Sequence, residues 1–338
     1  MVKKFFLGLL IVLLVLVVAN WQLVVYGVRQ GYGQLHIVWN ARPIEEFLTN
    51  ASFPDSLKEK LLLIQEIRRY AIDSLGLKDT ENYKTLYDQR GEELMWVVQA
   101  CEPFKLQAKT WHFPVVGTVP YKGFFNKDKA FAERARLEAE GYDVSIRNPG
   151  GWSTLGWFTD PILSGMLKRN EGDLASLIIH EMVHATVFIK DNVAFNENLA
   201  SFVGDTAAYY FLAAKYGRPS TEYNQYWHED QDYRKYSQHI LRGTRMLDSL
   251  YNNFNDTASV ATKRRAKENL IRQIMSSVDT LQLFTPRKPS ARLPNNTYFM
   301  SYHLYQAKQD TFNIELDSRF RGDLKAYLAY LAQKHPFL

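Results

Sequence analysis

Leu174-Ala-Ser-Leu-Ile-Ile-His180-Glu181-Met-Val-His184-Ala-Thr-Val-Phe-Ile189 is apolar almost throughout, and its three ionisable side chains are His180, Glu181 and His184. Apolar residues on nearly every side predict a buried helix running through Ile189. Positions i and i+4 share a helix face, so His180 and His184 can reach one metal ion. Glu181 lies about 100° around from His180, close enough to address a water held by that ion without ligating it. Two imidazoles and a carboxylate are costly in such surroundings without partners, and one Zn²⁺ ion is the partner the pattern implies. The bland alternative is a pair of core histidines bonded to neighbouring backbone.

A catalytic zinc takes three protein ligands and leaves one position for water. The stretch Phe195-Asn-Glu197-Asn-Leu-Ala-Ser-Phe-Val-Gly204 opens the next predicted helix. Twelve residues with an Asp191-Asn192 turn separate His184 from Glu197, room for the chain to reverse and return Glu197 to the metal. Asp205, eight residues further on, is the competing choice. Glu197 is favoured, leaving Asp205 either to orient a ligand by hydrogen bonding from outside or to be a solvated helix charge.

Upstream, Pro54-Asp55-Ser56 with Leu57, Leu61, Leu62, Ile64 and Ile67 predicts a capped amphipathic helix closing near Gly76. Strand character appears in 92–104 and 111–119, a charged helix in 126–141, and a strand again in 142–146. After the turn at Pro149-Gly-Gly151, residues 152–160 form another strand candidate. Beyond Asp173 the pattern is helical, with 233–251 and 260–283 forming a helical hairpin of core and scaffold. The fold class is therefore α+β and helix-rich, a small sheet part at about 90–160 and a mainly helical part at about 173–338.

The 338 residues, 46% hydrophobic, suffice for a large core. Net charge is +5, with 41 Lys and Arg interspersed among 36 Asp and Glu, so nucleic acid is not an implied partner. One cysteine, Cys101, excludes an internal disulfide framework and reads as a small buried side chain. Residues Phe5 to Ala19 form an apolar run after Lys3 and Lys4, with no charge before Arg29. Residues 1–26 thus predict a membrane-anchoring helix, with Trp21 and Tyr26 at its far interface, and 27–338 the exported domain. A cleaved signal sequence releasing that domain is the rival reading.

The chain resembles the bacterial family of predicted aminopeptidases in the zincin superfamily. Four stretches carry the likeness: Phe113-Pro-Val-Val-Gly-Thr-Val-Pro-Tyr-Lys-Gly-Phe-Phe125, Ser153-Thr-Leu-Gly-Trp-Phe-Thr-Asp-Pro161, the His180 motif, and Phe195 to Gly204. The resemblance implies a zincin-like fold, Glu197 as third ligand, a bacterial source, and a role for Tyr305 downstream of Asn295-Asn296. With Lys3 and Lys4 kept cytoplasmic by the N-terminal helix, the expected location is the bacterial cell envelope, on the non-cytoplasmic side of the inner membrane. Tyr305 is the transition-state donor this pattern suggests, in a C-terminal helix that Asn295 and Asn296 can cap. Two departures stand out. The lipoprotein cysteine that many relatives carry near the segment matching Gly33-Gln34 is missing, so anchoring is by helix or absent. The Gly-x-Met-Glu-Asn motif with which better-known zinc aminopeptidases hold the substrate amine is missing too, so aminopeptidase specificity is implied by the resemblance alone.

The expected chemistry is hydrolysis of a peptide substrate, with Glu181 as base. The strand around Gly156 and Trp157 is expected to hold the peptide by strand addition, unless its aromatics are merely core. The competing classes are a membrane-tethered, non-catalytic scaffold, an endopeptidase, and a zinc hydrolase of non-peptide amides.

Overall fold

Two helices in series begin the chain, α1 over Val2–Ala19 and α2 over Trp21–Asn40. The structure, a computed structural model, describes residues 2–114, 117–149, 159–190, 192–287 and 292–335. None of the described side chains of α1 is buried, and among the described residues it is the one helix long and apolar enough to cross a membrane. Helix α2 instead docks on the folded body. Tyr26 Oη and Gln30 Nε2 both donate to the Gly123 carbonyl, at 3.0 and 2.9 Å, and the Tyr26 ring stacks on Phe113. Gly33 approaches Phe125 so closely that a Cβ there would lie 2.2 Å from the ring. Tyr26, expected at a lipid boundary, is packed against protein.

Next come β1 (Arg42–Pro43), α3 (Ile44–Thr49), α4 (Asp55–Asp73) and β2 (Thr85–Tyr87). Leu61, Ile64 and Ile67 of α4 are fully buried, and the helix closes where Gly76 takes φ +72°, a region a side chain would disfavour. The two short strands join β8 (Ile162–Leu163) in a small mixed sheet, order β1-β2-β8, so strands also lie ahead of the expected 90–160 region. A second sheet holds β3 (Trp96–Cys101) between β6 (Lys122–Phe124) and β7 (Asp143–Arg147), all antiparallel. Between β3 and β6 in sequence lies a hairpin of β4 (Trp111–Phe113) and β5 (Gly117–Val119). Helix α5 (Lys127–Ala139), capped by Asn126, covers one sheet face, where Ala130 and Leu137 meet Val98, Ala100, Phe124 and Val144. Cys101 is buried in β3, and burial pushes its thiol up to about 12, as suits an inert packing residue.

The remainder is helical: α6 (Glu171–His184), α7 (Val193–Tyr216), α8 (Thr221–Asn252), α9 (Val260–Ser276), α10 (Asn296–Gln306), α11 (Gln309–Phe320) and α12 (Leu324–Lys334). The expected hairpin is α8 and α9, whose Ile240, Leu247, Ile271 and Ile274 share a core with Phe299 of α10. Asn295 caps α10 by accepting from Thr297 N, and Asn296 ties the same end to the Glu102 and Pro103 carbonyls. Helix α10 thereby lies between the β3–β7 sheet and α7. The molecule is a helix-rich α+β protein with small sheets.

Helix α6 starts under an Asn170 cap, with Glu171 and Asp173 favouring its positive end, and Leu174, Ala175, Ile178, Ile179 and Val183 are fully buried. It stops at His184, short of the expected Ile189. The reason is Asn196: its side chain accepts from Ile189 N at 2.9 Å and donates to Ile189 O at 2.8 Å, satisfying both backbone groups outside a helix.

Candidate metal centre

Helices α6 and α7 run antiparallel, pairing His184 with Glu197, His180 with Gly204 and Ser176 with Asp205. Gly204 permits the close approach: a Cβ there would lie 2.6 Å from the Ser176 carbonyl oxygen and 3.2 Å from His180 Cβ. Buried Asn196 closes the connection at one side of Glu197, while buried Asn198 works on the other. Asn198 donates to the Leu304 carbonyl and accepts from Lys308 N at 2.9 Å, pinning the end of α10. The Asn-Glu-Asn triplet thus sets Glu197 between two fixed loops.

His180 Nε2 and His184 Nε2 face each other at 3.2 Å. Glu197 lies 3.4 Å from the first through Oε2 and 3.8 Å from the second through Oε1. Three donors of a tetrahedral zinc at 2.0–2.1 Å stand about 3.4 Å apart, so the spacing fits such an ion. Two imidazole nitrogens aimed at one another also require a proton or cation between them. Among the described residues this is the group of His, Cys, Asp and Glu whose ligand atoms can hold a metal, all within 4.8 Å. The side chains of His180 and Glu197 are 16% and 18% exposed, which leaves one side open to solvent.

Burial lowers His184 to about 4, with Glu197 opposing and His180 adding, so its ring is neutral as a ligand must be. Burial also acts against a charged His180, but the hydrogen bond that its ring donates to Glu197 and the charge of Glu181 outweigh it and raise that group. Glu197 is held low: burial is overcome by His184 and His180, with Arg147 contributing. Glu181 goes the other way. Withdrawal from water raises it to about 7, opposed by His180 and reinforced by Glu197 and Asp160. Two adjacent carboxyls therefore differ in proton affinity, one suited to ligation and one to accepting a proton near neutrality.

Asp205 stands outside the triad and accepts from Ser176 Oγ at 2.8 Å, one turn before His180. Burial raises its carboxyl to about 6. His184 Nδ1 is buried without a hydrogen-bond partner among the described residues, so packing between the helices fixes that ring. Tyr305 lies on α10, where its hydroxyl accepts from Arg147 Nη2 at 3.2 Å, and the charges of Glu197 and Glu181 act on it. The strand expected around Gly156 and Trp157, and Asp191 of the expected turn, lie outside the described residues.

Two neighbours escaped sequence reasoning. Tyr121, raised by burial to about 12, feels Glu197 and Glu181. Arg147 ends β7. Tyr121 lies in a short turn without periodicity. Arg147 had a signal in strand alternation, which puts it with Asp143 and Ser145 opposite the core residues Val144 and Ile146.

A protein-family model described as "Putative aminopeptidase" matches residues 25–334. No curated protein and no solved structure matches the chain.

Proposed function

The chain belongs to the "Putative aminopeptidase" family, and from that premise we propose that it is a zinc-dependent peptidase, acting as an aminopeptidase, with its reaction centre between α6 and α7. The observation that carries this reading is the convergence of His180, His184 and Glu197 on one point, with Glu181 next to it on the same helix.

His180, His184 and Glu197 would hold the ion, which when bound supplies Lewis acidity to the water and to the scissile carbonyl. Glu181 takes the proton from the attacking water and delivers it to the leaving amine, a transfer its raised proton affinity favours. Tyr305 offers a phenolic hydrogen to the oxygen that gains charge as the carbonyl becomes tetrahedral. Burial keeps that phenol protonated well above neutrality. Asn198 fixes the α10 end that bears Tyr305, so ligand and donor keep their spacing.

Metal analysis of the purified protein is expected to find one zinc per chain. Chelation should abolish hydrolysis of a peptide reporter with a free amino terminus, and added zinc should restore it, while an acetylated reporter is spared. Hydrolysis that survives complete metal removal would sink the proposal.

We also propose that α1 anchors the protein in the bacterial inner membrane, with the docked α2 holding the catalytic body at the non-cytoplasmic surface. The support is an apolar helix with no buried described side chain, leading directly into a helix fixed to the body. Alkaline washing of membranes should leave the full-length protein bound. Recovery of a soluble product beginning near Asn20 would favour a cleaved signal sequence instead.

A further inference from the structure

Arg147 carries a charge that the proposed zinc chemistry does not use. Its guanidinium spends one hydrogen bond on Tyr305 Oη, and among the described residues no carboxylate lies within ion-pair distance of it. The acidic residue on its strand face, Asp143, is already engaged by Lys267 and by Asn296 N. Arg147 is only partly buried, and a guanidinium has five N–H donors, so several remain for an incoming group.

Its position links it to the reaction centre. Tyr305 sits one residue from Leu304, whose carbonyl Asn198 holds, and Asn198 adjoins Glu197. The charge of Arg147 acts on Glu197 and on the Tyr121 and Tyr305 phenols, the side of the site that faces α10. A planar cation with free donors beside a peptide-cleaving centre repels a substrate ammonium and accepts a carboxylate in a two-point hydrogen bond.

We propose that Arg147 is the receptor for a substrate carboxylate, so that the site selects peptides bearing a terminal or side-chain carboxylate on the part of the substrate that faces α10. This rests on the reading of the triad as a peptidase centre.

The test compares alanyl-alanine, alanyl-alanine amide and alanyl-aspartate amide, using zinc-loaded wild type, Arg147→Gln and Arg147→Lys, each checked for folding by thermal melting. Wild type is expected to show kcat/KM about tenfold or more higher for a carboxylate-bearing peptide than for alanyl-alanine amide. That ratio should fall to near one in Arg147→Gln and be partly kept in Arg147→Lys, which retains the charge without the fork. Preference for alanyl-alanine assigns the terminal carboxylate, and preference for alanyl-aspartate amide the side chain. An acid-to-amide ratio equal in wild type and both variants overturns the proposal, even if all rates drop together, because that is what a merely structural residue would do.

Calorimetric binding of the same peptides to Glu181→Gln, with and without Arg147→Gln, separates this from failure of the peptidase reading. If wild type cleaves none of them, the peptidase reading fails. Tighter binding of the acid that disappears with Arg147→Gln still supports the receptor, and equal binding of acid and amide overturns it.

Discussion

Glu181→Gln is expected to lower kcat by about 10²–10⁴-fold, the usual worth of a positioned proton-transfer group, while one zinc per chain remains bound. The substitution keeps the side chain's shape and leaves His180, His184 and Glu197 in place. It also removes a carboxyl that burial already drives towards its neutral form, so folding should not suffer. KM should change little, because the lost interaction is a proton transfer in the transition state rather than a contact with bound substrate. Zinc content measured beside steady-state kinetics checks this. A variant that retains zinc and full activity would remove Glu181 from the mechanism and require another base.

What the sequence made legible was local. A helix apolar on nearly all sides, two histidines one turn apart and an acidic residue after a reversal are patterns of spacing, and they led to His180, His184 and Glu197. Boundaries set by distant side chains were hidden. The end of α6 depends on Asn196 capturing Ile189 from the following helix, so apolar periodicity alone carried that helix too far. Pairing across the sheet was hidden as well: β3 lies between β6 and β7, an order that strand propensity does not encode. The contact of Arg147 with Tyr305 joins the end of a strand to a helix 158 residues later, and nothing local at either residue announces it. Tyr26 was read from a hydropathy boundary, whereas its neighbours Gly123 and Phe113 arrive from a sheet folded much later in the chain.

Glu197→Gln should weaken zinc binding by more than about 10²-fold, since even residues that only orient a ligand are worth 10–100-fold. Glu197 supplies the anionic member of the triad, and the His180–His184 pair alone leaves the ion two protein donors. The loss should also appear in stability. Zinc that binds only the folded chain adds about 2.7 kcal/mol at a free concentration one hundred times its Kd, so wild type should melt higher as zinc is added. The variant should follow the same curve displaced to more than a hundredfold more zinc. Asp205→Asn is the informative comparison, because Asp205 bonds Ser176 and lies outside the converging atoms. It should keep zinc binding within the range of an outer residue, and its melting curve should respond to zinc much as wild type does. If Asp205→Asn lost the metal while Glu197→Gln kept it, the ligand roles of the two carboxylates on α7 would have to be exchanged. The helix would then have to rotate relative to α6, a motion that the contact of Gly204 with the Ser176 backbone opposes.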